Sequence, residues 1–459
     1  MATVMELLER GLVTLNAGMS NGGEYRVTIW TIEGPKHIGT FPIVFLTQGG
    51  ETFYDPERLK KFWVDKRPQL DGMSLWGLVN GGTAAVGFSS WGADLVALDV
   101  NDEPLIAVNY PSAFERKEIV DYVRGLPDMW WHDQLCGAAQ DAYQPLGQLQ
   151  VLKLKLADTW GHVKAIVPVA DYLFYMLTGC MGHDATMLQS QGMLGEAAKV
   201  AVQQRFGEPL CPGILCPWKE LSPDAVIGVE GVGFCVPGTH DSPLARAIGF
   251  SVADTVVWTG SWGGVAANID GTDIVPCDAT CEAGLSFEGL TPRALQKNTG
   301  MFGPVYKLLC QRAGMSYAEA AEFVLGRSDL PRLSSDTVDD LCSGSPEEVA
   351  ERIMSELEET SCSEALAVVL HTAVECVWED LQKLAQVTCM SLNRVAVVGG
   401  WAENRAFCTL LQEHGVEVVK PQHAAKATDI GLAVDMLRRL AEEDGQPVPV
   451  EKIIEQISV

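Results

Sequence analysis

The chain has 459 residues, of which 47% are hydrophobic and 20% charged, and carries a formal net charge of −27. That length exceeds one ordinary core and predicts two domains, while the composition is that of a globular protein without the ~18 consecutive apolar residues of a membrane span. The acidic balance excludes a nucleic-acid binder, which needs clustered Lys and Arg to neutralise phosphates, so an anionic ligand would have to be held by backbone N–H groups in glycine turns and at helix N-termini.

Residues 1–10 include Glu6 and Glu9 and show no basic segment followed by a long apolar one. No secretory signal is predicted there, and the cytoplasm is the expected compartment. An apolar segment at residues 12–15 meets a small-residue turn at 17–23 and resumes at 25–30, which reads as strand, loop, strand. The same unit recurs with a strand at 255–258, a turn at 259–264 and a strand at 265–269, which suggests a duplicated architecture. Between them, residues 87–99 read as a strand broken at Trp91-Gly92, and 151–156 and 171–177 read as helical. Residues 335–363 are rich in Glu and predict a solvated helix. The last quarter is βαβ-like, with a strand at 394–398, a Gly399-Gly400 turn, a helix around 403–414 and a strand at 416–420, implying a parallel crossover. A helix then opens near Lys426 with small residues on one face, suited either to a flat ligand or to tight helix packing.

The thirteen cysteines form no Cys-x-x-Cys pair, so free thiols are expected rather than a disulfide framework or a structural zinc site. The sharpest local signal is Pro237-Gly238-Thr239-His240-Asp241-Ser242, which places a carboxylate on a glycine-supported loop between apolar runs at 226–236 and 244–250. A carboxylate held rigidly there suits proton abstraction from a hydroxyl, whereas the simpler reading makes it a cap of the next helix.

Four blocks in order, Ser90-Trp91-Gly92-Ala93-Asp94, Gly238-Thr239-His240-Asp241-Ser242, Lys297-Asn298-Thr299-Gly300 and Val397-Val398-Gly399-Gly400 with Asn404, resemble the FGGY carbohydrate kinases, and within them the rhamnulokinase-like branch. The resemblance covers nearly the whole chain. It implies an α/β fold of two ribonuclease-H-like domains of the actin and hexokinase type, at residues 1–243 and 244–459, with an active-site cleft between them where ATP and sugar meet. It makes Asp241 the catalytic base that takes a proton from a ketose hydroxyl as that hydroxyl attacks the γ-phosphate. Trp91, Gly92, His240, Ser242 and Asn298 match sugar-contacting positions. The two hairpin turns become phosphate loops, with Gly18, Ser20, Asn21 and Gly22 in the first and Gly260 and Ser261 in the second, while Gly399, Gly400 and Asn404 match the adenosine side. Magnesium would be held by Asp241 and the residue at position 16. Phosphoryl transfer needs mostly positioning and charge neutralisation, which such parts supply without a Walker or protein-kinase motif, and neither motif occurs here.

The chain departs from the family in places. Asn16 stands where the family has a magnesium-holding Asp, and no Asp precedes Asp55. An amide offers magnesium an oxygen without charge, so Asp241 is left as the carboxylate expected to serve both proton and metal. Ser89-Ser90 replaces an Asp-Thr pair, Trp401 replaces a third glycine, and Gly23 stands where a basic residue is expected unless Arg26 takes that role. The sequence therefore supports an ATP-dependent ketose kinase acting on a rhamnulose-like sugar, with a catalytically weak sugar-binding or regulatory protein as the alternative; homodimerisation is left open. A dinucleotide-dependent oxidoreductase is disfavoured, because the turn after 394–398 lacks the third glycine and the strand-end acid of that fingerprint.

Overall fold

The computed structural model describes residues 4–18, 24–42, 45–48, 51–54, 85–108, 116–126, 144–206, 214–229, 233–260, 262–269, 281–285, 292–327, 330–341, 346–358 and 360–457. The chain divides into two compact units: residues 1–244 with 284–291 and 428–459, and residues 245–283 with 292–427. This division differs from halves meeting at 243/244 chiefly in that the C-terminal residues 428–459 return to the first unit.

The first unit is organised on a sheet of six strands, β1 (Leu12–Gly18), β2 (Glu24–Thr31), β3 (Gly34–Pro42), β4 (Ala85–Ser90), β5 (Ile227–Val229) and β6 (Gly233–His240), in the order β5-β6-β4-β1-β2-β3. β1, β2 and β3 form an antiparallel meander, whereas β1, β4 and β6 run parallel. Alternation along these strands sends Val13, Val27, Ile29, Val86, Phe88 and Cys235 into one core layer with Phe174. Gly87 faces the other way, where a Cβ would come within 2.4 Å of the Met436 sulfur, so glycine is what allows that side chain onto the sheet. A smaller sheet holds Phe45–Gln48, Glu51–Tyr54, Leu95–Leu98, Pro104–Val108 and Ala165–Pro168. The strand expected at 87–99 is thus divided between two sheets, with Trp91-Gly92 at the break. Among the described helices are α1 (Val169–Thr178), which buries Phe174 in that core layer, α2 (Ala185–Ser190) and α3 (Asp241–Phe250), the last carrying the chain from one unit into the other.

The second unit repeats the plan. β7 (Thr255–Thr259), β8 (Gly263–Asn268), β9 (Pro292–Gly300), β10 (Arg394–Gly399) and β11 (Glu417–Val419) lie in the order β9-β8-β7-β10-β11, with Cys281–Leu285 added at the β9 edge, β7, β8 and β9 antiparallel and β7, β10 and β11 parallel. This is the order β3-β2-β1-β4-β6 over again, which carries the inferred duplication from two hairpins to two sheets. The long helix α4 (Cys362–Thr388) starts at a capping box of Ser361 and Glu364 and buries one face in the unit's core. α5 (Arg405–Glu413) makes the β10–β11 crossover, and α6 (Ala427–Glu443) leads back to the first unit. In α6 a Cβ on Gly431 would meet the Leu244 carbonyl oxygen at 2.4 Å, so the small residue there serves tight helix packing rather than a ligand.

The acidic segment forms Ser335–Asp340 and Pro346–Glu356, with Glu347, Glu348 and Glu351 exposed. All nine cysteines among the described residues are free. No helix among the described residues is long and apolar enough to cross a membrane.

Candidate active site

Asp241 does not sit on a loop. β6 ends at His240 and α3 begins at Asp241, so the carboxylate projects from the junction of a buried strand and a helix N-terminus. The glycine expected to support a loop has a different task. At Pro237-Gly238 the β4–β6 register shifts, since proline donates no amide hydrogen and Gly238 lets the strand pass within 3.2 Å of the Ala170 carbonyl at its missing Cβ. Thr239 and His240 then pair with Ser89 and Ser90. Among the described residues the contacts of the Asp241 carboxylate are His240 Nε2, 3.2 Å from Oδ1, and the Ser242 hydroxyl, which donates to Oδ1 at 3.3 Å. The Asp241 side chain is one-third exposed (33%) against 14% for His240, so the acid is reachable while its neighbour is held.

The break after β4 packs against this junction. Trp91 is buried, and a Cβ on Gly92 would lie 2.3 Å from Ser190 Oγ and 2.9 Å from His240 Nε2. Only glycine fits where those two side chains converge. The Gly92 carbonyl accepts from both Ser190 Oγ and Gln191 Nε2, at the C-terminal end of α2. Trp91, Gly92, His240, Asp241 and Ser242 are thus assembled in the first unit. Asn298 lies in the second, on β9 opposite Gly264. Beside it Lys297 stands 3.9 Å from Asp380, whose carboxyl burial pushes up to about 6 against the pull of Lys297 and Lys383.

The first hairpin holds a feature that sequence reasoning missed. Asn16 and Arg26 are directly opposite on β1 and β2, and both reach Asp429 in the first turn of α6. Asn16 Nδ2 donates to Asp429 Oδ1 at 2.7 Å, and Arg26 Nη1 lies 3.1 Å from Oδ2, with the Asp429 side chain 4% exposed. Asp241 is therefore not the sole carboxylate available, because an acid from the far end of the chain stands against the amide at position 16. Arg26 is held by it. Gly18 closes β1, whereas Ser20, Asn21 and Gly22 lie outside the described residues.

In the second unit Ser261 also lies outside the described residues. Gly260 does not: a Cβ on Gly303 would be 2.6 Å from its carbonyl oxygen, so the start of the Phe302–Ala313 helix is pressed against this turn. Thr259 Oγ1 donates to the Val398 carbonyl and accepts from the Trp401 N–H, each at 2.9 Å, tying the second hairpin to the turn after β10. Gly399 has φ +86°, and a Cβ there would come within 1.8 Å of the Thr259 carbonyl oxygen. Gly400 opens onto free space, and Asn404 caps α5 by accepting from the Phe407 N–H. Trp401 lies edge-on to Tyr306 and Phe407, with ring centroids 5.9 and 4.9 Å away, so the residue in the third-glycine position is an apolar plug.

Among the described residues no group of three or more His, Cys, Asp or Glu is placed to hold a metal ion. Magnesium needs no such cage, because it keeps waters and takes one or two carboxylates together with substrate phosphates. The partly exposed Asp241 carboxylate fits that requirement. Asn16 fits it less well, since it offers only an uncharged Oδ1 while its Nδ2 donates to Asp429.

No protein-family model matches the chain. The rhamnulokinase of Halalkalibacterium halodurans is 24% identical over 192 residues, a match spanning 39% of this chain and 40% of that one. Among solved structures, a xylulose kinase from Lactobacillus acidophilus superposes with a TM-score of 0.71 at 16% identity, covering 97% of this chain and 92% of its own. A gluconate kinase from the same organism gives 0.70 at 16%, covering 97% and 92%, and Plasmodium falciparum glycerol kinase with ADP gives 0.70 at 12%, covering 98% and 92%. The fold is that of the FGGY carbohydrate kinases. Within this kinase fold the doubled strand order and the strand-to-helix junction at Asp241 bear out the α/β, actin- and hexokinase-like architecture read from the sequence.

Proposed function

We propose that the protein is an ATP-dependent carbohydrate kinase that transfers the γ-phosphate to a hydroxyl of a ketose, a rhamnulose-like sugar being the preferred candidate. The observation that carries this reading is the Asp241 carboxylate, partly exposed at the strand-to-helix junction beside His240 and Gly92 in a chain with the kinase fold. The rhamnulokinase match, partial in length, supports the choice of sugar class.

In this reading Asp241 accepts the proton of the attacking hydroxyl, so that the oxygen becomes nucleophilic as it meets phosphorus. His240 and Ser242 fix the orientation of that carboxylate through its Oδ1. Asn298 would contact sugar, and Gly260 and Gly400 would offer the nucleotide turns without side-chain bulk, with Gly399 and the capping Asn404 holding the shape of the second of them. Magnesium, held by Asp241, would supply charge neutralisation on the phosphates.

An ADP-release assay over a panel of ketoses tests the proposal. Asp241→Asn is expected to lower kcat by about 100-fold or more, the usual worth of a positioned base, with the sugar KM changed only a few-fold. Retention of a tenth of the wild-type rate would remove Asp241 from that role.

A second reading, a sugar-binding or regulatory protein that keeps the kinase fold, is favoured by the amide at position 16 and its engagement with Asp429. Calorimetry separates the two: sugar binding with no turnover at any magnesium concentration selects the binding protein, and sugar-dependent ADP release rejects it.

A further inference from the structure

Behind Asp241 the first unit contains a buried polar chain that ends on the last two residues of β6. It starts at His183, whose Nε2 accepts the Trp218 backbone N–H at 3.2 Å. A backbone amide can only donate, so the ring proton is on Nδ1 and donates to Asp171 Oδ2 at 2.7 Å. Asp171 Oδ1 accepts the Asp184 N–H, which fixes the residue capping α2. Asp184 Oδ1 in turn accepts both the backbone N–H and the hydroxyl of Thr186. With its only proton given to Asp184, the Thr186 oxygen presents a lone pair to the His240 N–H, 3.0 Å away.

A second branch reaches the preceding residue. Asp184 Oδ2 pairs with Arg439 Nη2 at 3.3 Å, Arg439 Nε binds both oxygens of Asp435 at 3.1 and 3.0 Å, and Asp435 Oδ2 accepts the Thr239 hydroxyl at 3.1 Å. His183, Thr239, Asp435 and Arg439 are fully buried, and Asp171, Asp184 and Thr186 nearly so. Buried charges of this kind are weak sources of stability, since well-packed apolar residues would do as well or better. What the chain delivers is geometry. It grips β6 just beyond the register shift at Pro237-Gly238, immediately before the carboxylate emerges. The helix carrying Thr186 also carries Ser190, whose hydroxyl holds the Gly92 carbonyl. One short helix therefore sets both walls of the junction.

We propose that Thr186 is a positioning residue for Asp241: its hydroxyl, oriented by Asp184, latches the His240 amide and so sets the position of the carboxylate one residue later. The proposal rests on the reading of Asp241 as the base. A base displaced by about 1 Å loses on the order of 100-fold in rate without losing substrate affinity, which gives the role a kinetic signature.

The test uses the full chain and compares Thr186→Val, which keeps shape and removes the hydroxyl, with Thr186→Ser, which keeps the hydroxyl. Thr186→Val is expected to lower kcat roughly 10- to 100-fold with KM for sugar and ATP within about 2-fold, and Thr186→Ser to stay within about 3-fold of wild type. Hydrogen exchange of the His240 amide is expected to speed up about 10-fold or more in the Val variant and to remain slow in the Ser variant. If Thr186→Val does not fold, Thr186→Ala takes its place with the same expectations. A Val or Ala variant that turns over at the wild-type rate, while Asp241→Asn is inactive, overturns the latch and leaves the base intact. A loss that Thr186→Ser fails to recover, or His240 exchange that is the same in all variants, also overturns it. If wild type phosphorylates no ketose, or Asp241→Asn stays active, it is the reading of the base that fails, and the latch falls with it.

Discussion

The two hairpins occupy equivalent places in equivalent sheets, yet their ends are secured by different physics. Asn16 is the last residue of β1 in register with its parallel neighbour, opposite Ser89, and Thr259 is the last residue of β7 in register with its own, opposite Gly399. At the first position an amide and the cross-strand Arg26 converge on a buried carboxylate 413 residues away in the chain. At the second a hydroxyl closes onto backbone, and a glycine at positive φ leaves no room beside it. The first hairpin should therefore respond to charge and the second to volume. A duplicated fold has kept its strand order while exchanging the forces that hold its loops.

The largest effect is expected from volume in the second unit. Gly399→Ala would demand a left-handed backbone of an L residue and place a methyl 1.8 Å from the Thr259 carbonyl oxygen, so strand β10 or the hairpin must move. The conformational penalty alone is about 1–2 kcal/mol, and the clash brings the expected loss above about 3 kcal/mol in urea unfolding. A loss under about 1 kcal/mol would mean that the turn is open rather than closed against Thr259. Gly400→Ala, which meets nothing within 4 Å, is the matched control.

Charge in the first unit comes next. Asn16→Asp installs the acid that the family resemblance implies at this position, and from the sequence alone it is expected to improve magnesium use. Asp429 gives the substitution a separate cost in stability, because it sets two carboxylates in contact in a buried site. Repulsion and desolvation of the two charges should cost the variant roughly 2–3 kcal/mol in urea unfolding at pH 7. Combining Asn16→Asp with Asp429→Asn moves the acid to the other side of the same contact and keeps Arg26 opposite it. That double variant should return to within about 1 kcal/mol of wild type, whereas simple additivity of the two single losses would show that the pair does not share a charge.

These contacts also mark how far the sequence could be read. Both hairpins, the break at Trp91-Gly92, the βαβ unit and the helix after Lys426 were legible because local periodicity and glycine turns specify them. The setting of Asp241 was misread: Pro237-Gly238 signals a loop by composition, but β6 continues through it as a register shift. Asp429 was not legible at all. A single acid in a helical first turn looks like a favourable dipole partner, and its meaning appears only when α6 returns to the first unit and meets Asn16. Thr186 and Ser190 were hidden for the same reason, since their partners at His240 and Gly92 lie 54 and 98 residues away.

The smallest effect probes whether the contrast between charge and volume holds throughout the second unit. Asp380 is buried on α4 with its carboxyl pushed up to about 6 by desolvation, Lys297 and Lys383 pulling the other way from 3.9 and 3.6 Å. Its folded pKa lies above the ordinary unfolded value near 4, so the folded state holds this proton more tightly. The resulting stabilisation is present below about pH 4 and is lost as the pH rises through about 6. Between pH 7 and pH 5 this group should add on the order of 1 kcal/mol to stability, and Asp380→Asn should remove that increment from the difference between urea unfolding at the two values. An unchanged difference would mean that the neighbouring lysines cancel the effect of burial. A flattened one would place the charge sensitivity of the second unit under its sheet, on α4, rather than at the end of its hairpin, where only a hydroxyl and a glycine meet.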